Sequence, residues 1–443
     1  MNRKTARLRS TLLAPALLCS TLSWAEESPT PPPAAQVIAA EETPLLTERE
    51  NVQRFIERMV SKHQFEREPL SELLNQLTLR EKKISPKTSA AKRKAKMDNP
   101  AESRPWAEYR GKHVKPGIIN RGVKFWKLHE ETLAKAEAEY GVPVHIIMGV
   151  LGVETRYGGY MGKNPVINAL ATFAFNYPKR ERFFTSELEA FLLLAREEKQ
   201  DPFSYRGSYA GAMGMPQFMP SNYRKLAVDY DQDGKKDIWH TPADAIGSIA
   251  NYLRHHGWRP GKPIATPARY QPTTLSTEHQ VASGDSLWTI AQQVQSQQGG
   301  SMGGIMTQLQ QINPSAFINN NPNQIKLGAT LKLPVAKEAG YKHLILKKLR
   351  PKFQLQQILD NGFQIEPNYP TDAKALLLEL KGEKGIEHWV ALHNFYVISR
   401  YNPRTLYTMA VFQLGEEINK AYHAEKTVET KPEITLNTNA NPT

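Results

Sequence analysis

Cysteine is nearly missing from these 443 residues, Cys19 being the single thiol. That excludes a disulfide framework and the small bridge-stapled folds built on one. Long apolar runs are missing too. The best candidate, Thr11–Leu22, falls short of the roughly 20 residues that a membrane-spanning helix needs. Period-two patterns are scarce over residues 46–265, so the sequence predicts a mainly α body there. Acidic residues are in deficit, 44 against 57 lysines and arginines, for a net charge of +13. A chain so basic suits a polyanionic partner.

What is present begins with the leader. Arg3, Lys4, Arg7 and Arg9 precede Thr11–Leu22, and Ser23-Trp24-Ala25 offers small residues at the positions a signal peptidase reads. Residues 1–25 read as a cleavable signal peptide, giving a periplasmic mature chain with no transmembrane segment. Leu18 stands where a lipoprotein signal wants a small residue, which argues against a lipid anchor at Cys19. Export removes nucleic acid from the polyanions and leaves wall or membrane surface.

Residues 26–45, with Pro29 and Pro31 to Pro33, read as a Pro-rich linker. From Thr47 to about Leu79, Val52, Phe55, Ile56, Met59 and Val60 recur at helical spacing, and Lys82–Lys96 follows as an exposed basic loop. A helix is expected over Asn120–Glu139, a second after Pro143 through His145–Val153, a third opened by a capping box at Ser186–Glu189 and running through Glu198, and a fourth over Pro242–His256. The Pro/Thr-rich stretch 267–278 marks a composition break. Residues 278–335 form a small unit of strand 279–282, helices 286–295 and 305–312, and strand 325–333. Helical character is expected again after Gly340, with Pro403 in the first turn of a helix to about His423. The polar tail 424–443 reads as disordered.

Glu154 is the only acidic residue between His145 and Lys179. A carboxylate at a helix C-terminus faces the negative end of the macrodipole, and apolar neighbours add desolvation; both favour the protonated form. Such a group donates a proton near neutral pH. Taken alone, it reads more readily as a glutamate turned outward to solvent at a helix end.

Asp229, Asp231, Asp233 and Asp237, with Gly234 among them, repeat the first half of an EF-hand loop, and Lys235 would add its carbonyl. Position 12 is His240 where that loop has glutamate.

The segments GVETRYG (152–158), GAMGMPQFMPS (211–221) and NFYVISRYN (394–402), in that order, resemble the membrane-bound lytic murein transglycosylase B family, glycoside hydrolase family 103. The resemblance covers about 46–265 and 345–423. It implies a lysozyme-like helical fold and cleavage, without water, of the β-1,4 bond between N-acetylmuramic acid and N-acetylglucosamine in peptidoglycan. It implies that Glu154 protonates the leaving oxygen and then, as carboxylate, takes the proton of the muramic acid C6 hydroxyl, which closes a 1,6-anhydro ring. No cofactor is required. By matched position it suggests Ser208 and Gln217 as polar contacts to the glycan, Tyr109, Tyr252 and Tyr396 as cleft walls, and Arg180 for a peptide-stem carboxylate. Asp244 would complete a structural calcium site. Val390 departs from the aromatic expected there, which puts that stretch of cleft wall in doubt.

SGDSLWTIA (283–291), QINP (311–314) and LGATLKLP (327–334) resemble a LysM module, a βααβ fold that binds N-acetylglucosamine glycans. Because catalytic-family motifs lie on both sides of it, the expectation is an insertion, with catalytic segments at 46–266 and 341–423. A muramidase that uses water needs the same acid and differs only in its product. A silent wall-binding protein is the remaining alternative.

Overall fold

The computed structural model describes residues 45–80, 105–271, 278–298, 301–334, 340–366 and 369–429. The leader, most of the 26–45 linker, the 82–96 loop and the end of the tail lie outside them. The chain divides into Met1–Leu45 and Leu46–Thr443, and the second unit carries every element below. Among the described residues no helix is long and apolar enough to cross a membrane.

Helices α1 (Glu50–His63) and α2 (Arg67–Asn75) open the body, followed by α3 (Trp106–His113), α4 (Pro116–Leu128), α5 (Glu130–Tyr140) and α6 (Val144–Thr155). The single helix expected over 120–139 is two, broken at His129, whose φ of −120° and ψ of 27° leave the helical well. Next come α7 (Val166–Asn176), α8 (Glu181–Glu197), α9 (Pro220–Leu226) and α10 (Pro242–His255), with the short antiparallel pair β1 (Asn164–Pro165) and β2 (Arg206–Gly207) among them. The capping box at Ser186 is absent because α8 starts five residues earlier. Ser186 Oγ donates back to Arg182 O at 3.0 Å, and Glu187 is buried where it accepts from Ser221 N and Oγ. A box motif inside a longer amphipathic stretch is just two polar residues.

The chain then leaves the all-helical pattern. Strand β3 (Ala265–Tyr270) lies inside a five-stranded sheet with β6 (Phe353–Gln354), β7 (Phe363–Ile365), β8 (Lys374–Gly382) and β9 (Gly385–Ala391), in the order β6-β8-β9-β3-β7. The helical return expected after Gly340 is therefore mostly strand, with only the short helix α13 (Leu355–Leu359) among the strands. The run Ala375–Leu378 is buried on both faces, so its apolar residues do not alternate. Pro267, expected in a linker, pairs with Trp389 of β9 in the part of β3 that β7 does not reach, a position where proline is tolerated.

Between β3 and β6, residues 278–334 form β4 (Glu278–Gln280), α11 (Leu287–Gln298), α12 (Met302–Ile312) and β5 (Thr330–Lys332), with β4 antiparallel to β5. Their core, from Val281 to Leu331, is their own. Asp285 accepts from His279 Nε2 and Ala282 N, and Asn313 exchanges hydrogen bonds with Lys332 N and O, so the polar residues of both turn motifs close the unit.

After α14 (His393–Ser399), α15 runs from Thr405 to Glu429. It starts two residues beyond Pro403 and passes the expected stop at His423. Lys426 and Glu425 hold that extra length through ion pairs with Glu130 and Lys127.

Candidate active site

Helix α6 is buried from Ile146 through Gly152, and it lies antiparallel along α15. Two glycines set the approach. A Cβ on Gly149 would be driven into the Val411 carbonyl oxygen, and one on Gly415 into that of His145. With the backbones in contact at 145/415 and 149/411, the next turn brings Glu154 to Tyr407. Tyr407 donates its hydroxyl to Glu154 Oε1 at 2.6 Å.

Glu154 is half-buried, closely walled by protein yet reachable from solvent. Burial pushes its pKa up to about 7, against the opposing pull of the Tyr407 hydrogen bond. Its charge in turn raises the pKa of Tyr407, Tyr401 and Tyr252, with burial the larger cause for each. Tyr109 acts on Tyr407 in the same way and stacks on His113 at 4.6 Å. The acid is thus ringed by phenols that stay protonated.

The backbone past Glu154 is strained. Arg156, Tyr157 and Gly158 take φ of 54°, 62° and 79°, a left-handed run that costs on the order of 1 kcal/mol for each non-glycine residue. Thr155 Oγ1 holds it, donating to Met215 O at 3.0 Å and accepting from Gly158 N. This ties the end of α6 to the 211–221 loop. Met213 bridges Gly207 and Phe218 within that loop, and Tyr401 donates to Pro216 O at 2.8 Å. Gln217, at a φ of 54°, donates its amide to Met161 O and Gly214 O. Ser208 Oγ accepts from Ala212 N. Tyr252 donates to Arg400 O at 2.6 Å, and its ring meets those of Tyr401 and His256. Burial, with Arg400 nearby, holds His256 down to about pKa 4.

The structure thus gathers Glu154, Tyr109, Tyr252 and the Gln217 loop. Tyr396 has its ring near Arg400, and Arg180 is exposed with its guanidinium over Phe184 and Phe183. Val390 is fully buried in the sheet core and lines no cleft. Tyr401 and Tyr407 were not singled out. The signal for Tyr401 was at hand, since it lies within NFYVISRYN, whereas Tyr407 emerges only once Gly149 and Gly415 are aligned.

In the acidic loop, Asp229, Asp231 and Asp244 bring carboxylate oxygens within 4.8 Å of one another. Asp244 is fully buried and accepts from Tyr230 N and Asp237 N. Asp237 turns its carboxylate to Trp239 N and His240, and Asp233 accepts from Lys235 N. Three hard carboxylates at the turn of Gly234, whose φ is 89°, fit an oxygen-loving cation such as calcium.

A mainly helical body around a half-buried carboxyl whose pKa is raised to about 7 is an arrangement that can both hold and release a proton. Comparison with known proteins makes the class specific. The family described as transglycosylase SLT domain matches residues 47–316 and 317–416. The Escherichia coli membrane-bound lytic murein transglycosylase B is 35% identical over 368 residues, 83% of this chain and 82% of the relative. The soluble lytic transglycosylase SltB1 of Pseudomonas aeruginosa superposes with a TM-score of 0.61 at 35% identity, over 84% of this chain and 98% of that one. The Escherichia coli lytic transglycosylase Slt35 in complex with calcium gives a TM-score of 0.61 at 34% identity, over 84% and 94%. The chain belongs to the transglycosylase SLT domain family and is a lytic transglycosylase, a lyase of peptidoglycan.

Proposed function

We propose that Glu154 carries both proton transfers of the transglycosylase reaction. The observation that supports this is a half-buried carboxyl whose pKa of about 7 leaves both its acid and its carboxylate form substantially populated at neutral pH. Its proton goes to the glycosidic oxygen as the bond to C1 of N-acetylmuramic acid breaks. The sugar's own acetamido oxygen stabilises the cationic C1, so no second carboxylate is needed. Glu154, now charged and steadied by the Tyr407 hydroxyl, takes the proton from the C6 hydroxyl of the same sugar. That oxygen bonds to C1 and closes the 1,6-anhydro ring. Tyr109 offers a ring face to the glycan, the buried Tyr252 backs Tyr401 in the cleft wall, Tyr401 holds the loop at Pro216, and Ser208 and Gln217 are polar contacts to the glycan.

The test is to digest purified sacculi and weigh the muropeptides. Anhydro ends, one water lighter than reducing ends, are expected. Reducing ends would make the enzyme a muramidase, and no release at all a binding protein.

The leader-like residues 1–25 support export to the periplasm. The βααβ unit supports a LysM-like glycan binder inserted between catalytic segments 46–266 and 341–423. Asp229, Asp231 and Asp244 support a structural calcium in this chain, and the related Slt35 is known in complex with calcium. Calcium should raise the melting temperature of metal-stripped protein and leave that of an Asp244→Asn variant unchanged; calorimetry decides.

A further inference from the structure

The acidic loop does not stand apart from the acid. Asp244, in the first turn of α10, accepts from Asp237 N at 2.7 Å with the oxygen that does not meet Tyr230 N. The next residue, Ile238, is fully buried, and its carbonyl accepts from Met215 N at 2.9 Å. Gly214 permits that approach. At a φ of 65° it brings the 211–221 loop so close that a Cβ there would lie 2.7 Å from Ile238 O. Met215 passes the contact on, because its own carbonyl accepts from Thr155 Oγ1 at 3.0 Å. Thr155 is 1% exposed and follows Glu154 in the chain. Two hydrogen bonds, on the N–H and the C=O of one residue, thus join the acidic loop to the end of α6.

A second tether runs beside the first. Trp239 Nε1 donates to Arg206 O at 2.9 Å, on β2 and two residues before Ser208, and its ring meets those of Tyr205 and Tyr223. With Ile238 and Trp239 both bonded across, the loop cannot shift without moving Met215 or β2. Charge is what would shift it. Asp229, Asp231 and Asp244 bring carboxylate oxygens within 4.8 Å of one another, and like charges at that range repel unless a cation lies among them. Asp244 is buried on a helix, so the loop is the part that yields.

We propose that the acidic loop is a positioning element of the reaction: once Asp229, Asp231 and Asp244 share a cation, the loop seats Met215, and Met215 through Thr155 sets the angle at which Glu154 enters the cleft. Thr155 acts through Glu154 and is a positioning residue. The proposal rests on Glu154 being the acid and on the three carboxylates holding a cation. It adds a catalytic consequence to a site whose stabilising role would otherwise be its whole function, since small displacements of a reacting group are costly in rate.

The test uses the full chain, stripped of metal and then given calcium, as wild type, Thr155→Val and Thr155→Ser. Melting temperature, the ¹³C-methyl resonance of Met215 and kcat on soluble glycan strands are read for each, with kcat taken where stripped and loaded protein are both folded. Calcium should raise all three melting temperatures and shift the Met215 methyl, which packs against Gly158. It should raise kcat about ten-fold in wild type and in Thr155→Ser, which keeps the hydroxyl. Thr155→Val lacks the bond to Met215 O, so its kcat should be low and indifferent to calcium. A rise in melting temperature with the Met215 resonance and the wild-type kcat unmoved overturns the proposal and leaves the cation reading standing. A Thr155→Val enzyme that responds to calcium as wild type does has the same meaning. Should Thr155→Val fail to fold, wild type and Thr155→Ser still decide. A melting temperature indifferent to calcium overturns the cation reading and the proposal together, and a wild type that cleaves no strand removes the acid on which the proposal rests.

Discussion

In the helical body the decisive contact joins α6 to α15 backbone to backbone, Gly149 against Val411, with most of the chain between them. The βααβ unit does the opposite, drawing its whole core from Val281 to Leu331 and closing on Asn313 and Lys332. The body therefore stores its chemistry in a long-range register, where Glu154 finds Tyr407 only if two helices touch at the right turn. The unit stores only its own fold. Damage should spread through the first and stay local in the second.

The hardest break is at the acid itself. Glu154→Gln should lower the release of anhydro-muropeptides by about a thousand-fold, since the amide cannot donate the proton. It should also stabilise the body at alkaline pH. The folded carboxyl holds its proton to about pH 7, while the unfolded group releases it near its ordinary 4.5. Below that lower value both states are protonated and the group has no effect. As pH rises through the interval the folded state is progressively penalised, reaching about 3 kcal/mol above the folded pKa. Urea unfolding should accordingly show the variant more stable than wild type at about pH 8.5 and equal to it at about pH 4. Equal stability at both would mean that Glu154 is solvated and its pKa ordinary.

Next in size is the register. Gly149→Ala forces a methyl into the Val411 carbonyl and should cost about 1–3 kcal/mol while lowering turnover, because Tyr407 is displaced with α15. Gly303→Ala in α12 is the matched control. Its methyl meets nothing within 4 Å, so helix propensity should make it neutral or slightly stabilising. Thermal melts and turnover of the two variants together measure how far each region transmits an error.

The same contrast decides what could be read from sequence. Glu154 was legible because it is the lone acid in an apolar stretch, and the βααβ unit was legible because its turns and apolar spacings are local. The five-stranded sheet was not. Its β8 run is buried on both faces and lacks alternation, and Pro267 imitates a linker although it lies in a strand paired to β9. Tyr407 was hidden for another reason, since its partner lies 253 residues away and only the packing of two helices reveals it.

A smaller effect sharpens the role of that phenol. Tyr407→Phe keeps the ring and removes one hydrogen bond, which favours the carboxylate form of Glu154. Its loss should move the alkaline limb of kcat/KM to higher pH. The general-base step should weaken at the same time, so that kcat falls about ten-fold. A limb that stays in place while kcat falls would make Tyr407 a contact to the substrate and remove it from the control of the acid.

The smallest effect on chemistry should come from the largest deletion. Strand β3 precedes the βααβ unit while its partners β7 and β9 follow it, and Gln271 N already bonds to Gly362 O at 2.8 Å, so the sheet is closed without the unit. Replacing 278–335 by a short Gly/Ser loop keeps the sheet's ends in place, and loop-closure entropy changes little with such a change of length. The shortened enzyme should melt close to wild type and cleave soluble glycan strands with unchanged kcat. Binding to sacculi should weaken, because a tethered glycan binder raises the local concentration of enzyme at an insoluble surface without entering the reaction. Trp288 and Leu327, 55% and 73% exposed, are the side chains of the unit most available for that contact. A drop in kcat on soluble strands would show the unit shaping the cleft, and unchanged sacculus binding would leave it without a glycan role.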